Sequence, residues 1–352
     1  MIRENVPLAP FTTLRIGGPA RYFDEVRNEN ELQEALAFAC DHAIPVFILG
    51  GGSNVLFADQ GYPGLVIQIA LRGVQWLSDG MISVCAGEDW DGFVRQCVER
   101  ELAGIECLSG IPGFAGGTPV QNVGAYGQDV SETIVSVRAY DRLHERIVEL
   151  SNEECHFAYR ASIFNTGERD RYIVLTVNFA LRPHGEPAIR YPDLEKIFAG
   201  VDERPALQDV REAVLSIRAR KAMLLVPGDP DCRSAGSFFK NPVVTAEFFA
   251  RMTEVAKSQN SIAGDQEIPH YAAAEGRVKV PAAWLIEHAG FHKGYIYGRA
   301  GISSKHSLAI VNRGGATAQE VIGLANEICE RVQLKFGLRL QAEPVLVGCE
   351  LA

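Results

Sequence analysis

Two glycine-rich segments are the part of this 352-residue chain best suited to hold an anionic ligand. The first, residues 50–54, follows an apolar run at 44–49 and reads Gly-Gly-Gly-Ser-Asn. The second occupies residues 109–117 and continues into 121–127. Because glycine lacks a Cβ and tolerates positive φ, such segments let backbone N–H groups close around an anion. Two of them in one half of the chain predict a ligand with more than one phosphate, and a dinucleotide cofactor fits that description.

The spacing around the first glycine segment argues against a Rossmann-type dinucleotide site. That fingerprint needs a Gly-x-Gly-x-x-Gly pattern that opens a helix, whereas Asn54 is followed here by Val-Leu-Phe at 55–57. Ser53 and Asn54 add side-chain hydrogen-bonding capacity, although a tight turn is the alternative interpretation of this segment. The second segment has too many glycines for a helix or strand. It therefore predicts an irregular segment around a ligand, with a long structural loop as the alternative.

Three polar side chains lie among apolar or small neighbours and could take part in chemistry. Arg160 could bind a carboxylate or phosphate in bidentate fashion, and a structural salt bridge is the alternative. Ser237 follows Gly236, which would let it approach a ligand, although a serine in such a place often serves a turn. The absence of a Gly-x-Ser-x-Gly elbow in the sequence argues against a hydrolase nucleophile. Glu343 begins an apolar run, where it would form either a salt bridge or a catalytic group.

Hydrophobic spacing predicts the elements that must hold these residues. Apolar residues three and four positions apart predict helices at residues 31–42, 90–102, 207–221 and 317–336. Apolar runs predict strands at residues 44–49, 65–69, 82–86, 134–140 and 172–181. In the last helix, Thr317 and Glu320 form a capping-box pattern and Gly337 can terminate the helix. The pattern indicates an α+β chain, and a Pro-, Gly- and charge-rich stretch leads us to place a domain boundary near 201–205.

Composition narrows the classes of partner and compartment. The sequence is 47% hydrophobic and 22% charged, as in ordinary globular proteins, and its formal charge of −10 argues against nucleic acid as the main partner. The chain has no apolar run near the roughly 20 residues of a membrane span, and its first residues lack a hydrophobic signal core. The eight cysteines are scattered without a Cys-x-x-Cys pair. We therefore expect reduced thiols and a cytoplasmic protein.

Several of these segments occur together, in the same order, in one known family. The chain resembles the UDP-N-acetylenolpyruvoylglucosamine reductases, flavoenzymes of bacterial peptidoglycan synthesis. The matching segments are the two glycine segments and residues 5–8, 12–18, 159–164, 236–242, 281–287, 303–306 and the segment around Glu343. The resemblance therefore extends almost from one end of the chain to the other.

The resemblance implies an α+β fold whose first part is an FAD-binding domain of the p-cresol methylhydroxylase/vanillyl-alcohol-oxidase type. This domain would span residues 1–204, in two subdomains of about 1–70 and 71–204. Residues 205–352 would form a smaller substrate-binding domain whose last strand returns to the active site. Such a fold also accounts for the non-Rossmann spacing of the glycines. We further expect a monomer that binds small molecules and neither nucleic acid nor a membrane.

The resemblance also implies which residues contact the ligands, with FAD bound non-covalently and NADPH as hydride donor. The implied flavin contacts are Ile16, Gly17, Gly18, Gly50, Gly51, Gly52, Ser53, Asn54, Ile111, Pro112, Gly113, Gly117, Gly124 and Ala125. The implied contacts to a UDP-sugar substrate are Tyr126, Tyr191, Arg218, Lys221, Lys240, Asn241 and Tyr271. Tyr191 matches the loop that closes over the nucleotide-sugar in the first type of this enzyme. Asn165 departs from the family, in which many members have lysine there, and we interpret it as a peripheral change.

The implied reaction reduces the enolpyruvyl group of UDP-N-acetylglucosamine enolpyruvate. Hydride addition to the terminal carbon leaves negative charge that the substrate carboxylate can take up as an enediolate. The resemblance assigns Arg160 to stabilise this charge and Glu343 to assist at the same carboxylate, which requires a raised pKa for Glu343. It assigns Ser237 as the general acid that protonates the neighbouring carbon. Serine is a weak acid, so this role suits a strongly basic, carbanion-like centre.

Two other functions fit part of the sequence. A flavin-dependent oxidase or dehydrogenase on the same fold would use another acceptor and would not need the residues that bind a UDP-sugar. A non-catalytic nucleotide-sugar binding protein would have no use for Arg160, Ser237 and Glu343 together. The reductase is the interpretation that gives a role to the UDP-sugar contacts as well as to Arg160, Ser237 and Glu343.

Overall fold

The computed structural model describes residues 1–200, 203–258 and 267–352, and the chain divides into two compact units. Unit 1 comprises Met1–Val6, Ala20–Gly52 and Pro63–Leu224. Unit 2 comprises Pro7–Pro19, Ser53–Tyr62 and Leu225–Ala352. Each unit has a hydrophobic core of its own.

This division differs from the domain boundary expected near 201–205. Two early segments, Pro7–Pro19 and Ser53–Tyr62, belong to unit 2, and the helix Leu207–Arg220 belongs to unit 1. That helix packs its apolar face into a core of unit 1, and long-range packing of this kind leaves no local mark in the sequence. Residues 201 and 202, at the expected boundary, lie outside the described residues.

The helices and strands have the following bounds. The helices are α1 (Glu29–Asp41), α2 (Trp90–Glu99), α3 (Pro192–Phe198), α4 (Leu207–Arg220), α5 (Ala246–Ser258), α6 (Ala282–His288) and α7 (Ala318–Phe336). The strands are β1 (Arg3–Pro7), β2 (Pro19–Val26), β3 (Val46–Leu49), β4 (Val55–Phe57), β5 (Tyr62–Ile69), β6 (Val74–Trp76), β7 (Met81–Cys85), β8 (Leu102–Ala103), β9 (Gly124–Ala125), β10 (Gln128–Asp129), β11 (Ile134–Asp141), β12 (Arg146–Ser151), β13 (Tyr172–Ala180), β14 (Arg182–Pro183), β15 (Val243–Val244), β16 (Tyr271–Ala272), β17 (Val278–Lys279), β18 (Ile296–Tyr297), β19 (Ala300–Ile302), β20 (Ile310–Asn312) and β21 (Val345–Val347).

Unit 1 contains two larger sheets. One has the strand order β1-β2-β5-β3, in which β3 and β5 run parallel. The other has the order β12-β11-β13-β7-β6, in which neighbouring strands run antiparallel. The short hairpin β9–β10 forms a separate two-stranded sheet and carries several of the predicted site residues. The mixture of sheets and helices confirms the predicted α+β class.

Helix α2 shows why the unit 1 core forms where it does. Asp89 caps the helix, because its Oδ2 accepts a hydrogen bond from Gly92 N at 2.7 Å. The buried face of α2 consists of Trp90, Phe93, Val94, Cys97 and Val98. This spacing of three and four residues places one apolar stripe against the sheet.

The described residues of unit 2 form three small sheets and the helices α5, α6 and α7. The sheets have the orders β15-β17-β16, β18-β19-β20 and β21-β4, and β21 runs parallel to β4. Helix α7 begins at a capping box, since Thr317 Oγ1 accepts from Glu320 N at 3.1 Å and Glu320 Oε2 accepts from Thr317 N at 2.9 Å. It ends at Gly337, whose φ of +66° is left-handed. Both predictions, the capping box and the termination at Gly337, are confirmed.

The remaining predicted elements are confirmed with small changes at their ends. Helix α2 was expected to reach residue 102, but it ends at Glu99 because Glu101 has a φ of +55°, and Leu102 pairs in β8 instead. Strand β3 begins at Val46 rather than at residue 44. Within the described residues, no helix is both long and apolar enough to cross a membrane.

Candidate active site

The two glycine segments of unit 1 meet in the structure. A Cβ on Gly51 would lie 2.6 Å from Gly113 Cα, so the two backbones are in direct contact. Gly116 is equally confined, because its Cβ would lie 2.5 Å from Ala86 Cβ. Ala86 O also accepts a hydrogen bond from Gly116 N at 2.8 Å. Glycine is therefore required at these two positions by close approach of the chain.

Two other glycines of the same segments face open space. A Cβ on Gly50 or Gly117 would have no atom within 4 Å. Neither residue needs glycine for its backbone angles or for protein packing. A ligand that approaches the backbone closely would require the absence of a side chain at these two positions. Ile111, Pro112 and Gly113 beside them are half-buried. We call Gly50–Gly52, Ile111–Gly113 and Gly117 the glycine cluster.

The other predicted flavin contacts divide between the units. Gly124 and Ala125 form β9 of unit 1, where a Cβ on Gly124 would overlap Asp129 of the paired strand. Ile16, Gly17, Gly18, Ser53 and Asn54 belong to unit 2. There, Gly18 N donates to Ala58 O at 3.0 Å, and a Cβ on Gly18 would lie 2.1 Å from Asp59 O. Gly18 is thus required by packing within unit 2.

Arg160 lies against the hairpin β9–β10 of unit 1. Its Nη2 donates to Gly124 O at 2.7 Å and its Nη1 donates to Asn122 O at 3.4 Å. Arg160 Nη1 also forms an ion pair with Asp129 Oδ1 at 4.0 Å. The side chain is 19% exposed, and its backbone φ of +54° is left-handed. Carbonyl groups therefore orient this guanidinium.

Asn165 stabilises the Arg160 segment through two hydrogen bonds to the backbone. Its Oδ1 accepts from Ser162 N at 2.9 Å and its Nδ2 donates to Arg160 O at 3.2 Å. We expected a peripheral residue, but the amide holds the backbone of Arg160 directly. A lysine has no acceptor and could not make the first of these bonds.

Four of the predicted substrate residues form one cluster in unit 1, which we call the tyrosine cluster: Tyr126, Tyr191, Arg218 and Lys221. The rings of Tyr126 and Tyr191 meet edge to face with their centroids 5.4 Å apart. Lys221 Nζ lies 5.9 Å from the Tyr126 ring and 2.9 Å from Asp193 Oδ2. Burial raises the pKa of Tyr126, although the charges of Arg218 and Lys221 act in the opposite direction.

Arg218 is the most constrained member of the tyrosine cluster. It is buried, its Nη2 donates to Met223 O at 2.6 Å, and its Nε has no hydrogen-bond partner. Burial lowers the pKa of this guanidinium, and the nearby Tyr126 and Asp91 counteract the effect only in part. A buried donor without an acceptor is costly, which marks Arg218 as a candidate for binding an acceptor atom.

Ser237 and Glu343 lie on neighbouring segments of unit 2. Phe239 and Ala342 form an antiparallel bridge, and Glu343 N donates to Phe238 O at 2.9 Å. Phe238 and Phe239 are buried and fix the serine segment, whereas Ser237 and Glu343 are half-exposed. The structure therefore places the segments that carry these two predicted catalytic residues side by side through backbone pairing.

Asn54 ties a predicted flavin segment to the same place. Its Nδ2 donates to Glu343 O at 3.2 Å, and its backbone O accepts from Val345 N at 2.9 Å. The side chain of Asn54, next to the first glycine segment, thus stabilises the position of the Glu343 segment within unit 2.

The other predicted substrate residues of unit 2 are less clustered. Asn241 Oδ1 accepts from Ala282 N at 2.9 Å and so binds the first turn of α6. Lys240 N donates to Gln341 O at 3.0 Å, next to the Glu343 segment. Tyr271 lies on β16, is 55% exposed and pairs with Lys279 rather than with the Ser237 segment. As substrate contacts, these three residues stay predictions.

Sequence reasoning missed three polar residues that support these clusters. Asn122 is buried, its O accepts from Arg160, and its Nδ2 donates to Ala158 O at 3.1 Å. Asp91 Oδ1 accepts from Gly110 N at 2.6 Å and forms a bidentate pair with Arg211. Asn122 stands directly between glycine-rich runs, which was a usable signal. Asp91 and Arg211 are 120 residues apart, so no local pattern joins them.

Comparison with known protein families gives two matches. A family described as the C-terminal domain of UDP-N-acetylenolpyruvoylglucosamine reductase matches residues 229–347. A second family, described as an FAD binding domain, matches residues 20–151.

Whole proteins match along nearly the full chain. A UDP-N-acetylenolpyruvoylglucosamine reductase of Thermobifida fusca is 47% identical, over 99% of this chain and 98% of its own length. One of Streptomyces coelicolor is 46% identical, over 99% and 91% of the two chains. The crystal structure of UDP-N-acetylenolpyruvylglucosamine reductase from Thermus caldophilus superposes with a TM-score of 0.67 at 26% identity, and covers 99% of this chain and 100% of that chain.

Proposed function

The chain belongs to the UDP-N-acetylenolpyruvoylglucosamine reductase family, and we propose that it performs that reduction with the clusters described above. It is an FAD-containing, NADPH-dependent oxidoreductase that forms UDP-N-acetylmuramate from the enolpyruvyl UDP-sugar in peptidoglycan precursor synthesis. The resemblance, the FAD-binding fold and the cofactors predicted from the sequence are thereby confirmed. The roles of individual residues are proposals.

The glycine cluster fits a bound FAD. Gly50 and Gly117 leave open space beside backbone that a phosphate or ring can approach, while Gly51 and Gly113 hold the two segments in contact. We assign the glycine cluster and Gly124–Ala125 to FAD, and residues 16–18 and 53–54 remain predicted contacts. When bound, FAD accepts hydride from NADPH and supplies it to the enolpyruvyl double bond.

The tyrosine cluster is proposed to bind the UDP-sugar. Arg218 Nε is a buried donor without an acceptor, and Lys221 adds a second positive charge beside the Tyr126 ring. A diphosphate carries the oxygen acceptor that Arg218 Nε lacks, and its negative charge suits Lys221, which also pairs with Asp193. Tyr191 is 37% exposed and can contact the substrate without leaving its ring contact with Tyr126.

Three side chains are proposed to act on the enolpyruvyl group. Arg160, whose guanidinium is oriented by carbonyls, stabilises the negative charge that develops on the substrate carboxylate. Glu343 assists at that carboxylate, and Ser237 donates its hydroxyl proton to the carbon next to it. The observation that carries this proposal is the backbone pairing between the segments of Ser237 and Glu343.

The role of Ser237 is tested by separating the two half-reactions in a Ser237→Ala variant. NADPH should reduce the bound flavin at nearly the normal rate, because no proton from serine is needed in that step. Reoxidation by the enolpyruvyl UDP-sugar should slow by about 10²–10⁴-fold, the usual contribution of a general acid. Stopped-flow absorbance at the flavin band measures both rates.

Two further variants make this test specific. Ser234→Ala removes a neighbouring hydroxyl of the same segment, which accepts from Gly236 N, and should leave reoxidation near normal. Ser237→Cys restores an acidic proton and should recover part of the rate. Normal reoxidation in Ser237→Ala would exclude Ser237 as the proton donor.

The cellular setting is proposed from the cysteines. All eight are free thiols in the structure, which agrees with a reducing compartment. We therefore propose that the enzyme acts in the cytoplasm. We also propose that it is a monomer and that small molecules are its only partners. Size-exclusion chromatography with light scattering tests the monomer, and a dimer mass would contradict it.

A further inference from the structure

We infer that Glu106 is a positioning residue that fixes Tyr126 and Tyr191 relative to each other and thereby sets affinity for the UDP-sugar. Glu106 is outside the glycine cluster and the proposed catalytic residues, and nothing in the sequence singled it out. The part of this inference that concerns the substrate rests on the proposed function of the tyrosine cluster. The part that concerns the chain segments stands on contacts within unit 1.

Glu106 is a carboxylate with no exposed surface. Its Oε2 accepts from Gly104 N at 2.7 Å, and its Oε1 accepts from Gln128 Nε2 and from Ala188 N, each at 2.8 Å. All three donors are uncharged. Burial of a carboxylate among neutral groups is costly, and the three hydrogen bonds offset that cost only while all three segments stay in place.

One arm of this network leads to Tyr126. Gln128 lies on β10 and pairs with Ala125 on β9, so the turn between them is formed by Tyr126 and Gly127. The amide of Gln128 is held at both ends, because its Oε1 accepts from Cys107 N at 2.8 Å while its Nε2 donates to Glu106. Glu106 and its neighbour therefore fix the base of the hairpin that carries Tyr126.

The second arm leads to Tyr191. Ala188 is held by both of its backbone groups, since its N donates to Glu106 and its O lies 3.2 Å from Cys107 Sγ. Leu194 on α3 is fully buried in the same small core as Cys107 and Ala188. Tyr191 thus lies between two fixed residues, three positions after Ala188 and three before Leu194.

The two arms meet at the tyrosines. The rings of Tyr126 and Tyr191 touch edge to face at 5.4 Å, and a Cβ on Gly127 would lie only 3.1 Å from Arg190 Cβ. At such distances, a shift of either arm changes the ring contact. Glu106 bonds to both arms, so it acts on the substrate through the tyrosines and not by touching it.

Unit 1 offers a matched control in Asp141. This carboxylate is also buried, and it accepts from Arg171 Nε and Nη2 at 3.0 and 2.8 Å. It lies at the far end of β11, where its partners are Arg171, His144 and Leu143. Its removal should destabilise the fold without loosening the segment that carries Tyr191.

The experiment compares Glu106→Ala with Asp141→Ala in the FAD-loaded enzyme by hydrogen exchange and by kinetics. Exchange in peptides covering 186–198 should be at least about tenfold faster in Glu106→Ala and unchanged in Asp141→Ala. KM for the enolpyruvyl UDP-sugar should rise about tenfold, equivalent to the loss of one hydrogen bond to a charged group. Flavin reduction by NADPH should keep its rate in both variants. Glu106→Asp keeps the charge but is one methylene shorter and should give a smaller change of the same kind, which serves if Glu106→Ala does not fold.

The outcomes separate the inference from the function on which it rests. Equal exchange at 186–198 in the Glu106 and Asp141 variants would overturn the inference whatever the substrate does. Faster exchange with unchanged KM would also overturn it, provided that Tyr191→Phe by itself weakens UDP-sugar binding. If Tyr191→Phe leaves that binding unchanged, the error lies in the proposed function of the tyrosine cluster. Faster exchange in Glu106→Ala then still supports Glu106 as the residue that positions the two tyrosine segments.

Discussion

Gly51→Ala and Gly50→Ala should have opposite effects, although the two glycines are adjacent. A Cβ on Gly51 would lie 2.6, 2.9 and 3.0 Å from Gly113 Cα, Gly113 C and Phe114 N. Ordinary carbon–carbon contact is about 3.5–4.0 Å, so the methyl group must push two backbone segments apart. Overpacking of this kind costs about 1–3 kcal/mol. We expect Gly51→Ala to lower the Tm of the FAD-free protein by about 2–4 °C for each kcal/mol.

Gly50→Ala tests the ligand instead of the fold. Its Cβ would meet no protein atom within 4 Å, so the FAD-free protein should keep its stability or gain about 0.4–1 kcal/mol from the stiffer unfolded chain. The same methyl group would occupy space that we assign to FAD, so FAD affinity should fall by about tenfold or more. Circular dichroism melting of the FAD-free protein and flavin fluorescence titration measure the two effects. Equal losses of stability in both variants, or normal FAD affinity in Gly50→Ala, would refute this reasoning.

Three further perturbations follow from single contacts. Thr317→Ala removes the cap of α7 and should cost about 1 kcal/mol, seen as a Tm lower by about 2–4 °C, while an unchanged Tm would show that the cap contributes nothing. Hydrogen bonds from Arg171 hold the pKa of Asp141 below its usual range, so this carboxylate stabilises the fold above its unfolded pKa of about 3.9 and loses that effect as the pH falls. The Tm of the wild type should therefore drop more steeply between about pH 5 and 3 than that of Asp141→Asn, and parallel curves would contradict this. Tyr191→Phe should weaken UDP-sugar binding in a calorimetric titration and leave flavin reduction by NADPH unchanged, and equal substrate affinity would remove Tyr191 from the account.

Local signals in the sequence were sufficient for most long elements. Helix α7 was predictable because its cap residues and apolar stripe are consecutive, and both ends lie where Thr317 and Gly337 place them. Helix α2 was predicted too long, because the apolar Leu102 continues the helical spacing while Glu101 turns the backbone away. Helices α3, α5 and α6 were not predicted. With seven residues each, α3 and α6 are too short to establish a helical period, whereas α5 has 13 residues and was missed although it carries several apolar residues.

The site was predictable as a set of residues but not as an arrangement. Glycine composition pointed to an anion-holding backbone, yet the contact between Gly51 and Gly113 joins residues far apart in sequence. Residue context marked Arg160, Ser237 and Glu343 as candidates and the family resemblance gave their roles, whereas the pairing of the last two segments depends on the tertiary fold. Glu106 gave no signal at all, because a single glutamate between Ile105 and Cys107 does not reveal its hydrogen-bond partners, which are distant in sequence, or its burial.

An anaerobic titration of the purified protein tests the central claim most directly. The protein should be yellow, and NADPH should bleach the flavin band. The enolpyruvyl UDP-sugar, added without oxygen, should restore the colour with one equivalent of substrate for each flavin. Bleaching without recovery would contradict a reductase of this substrate and favour an oxidase, and a colourless protein that binds no FAD would contradict the account altogether.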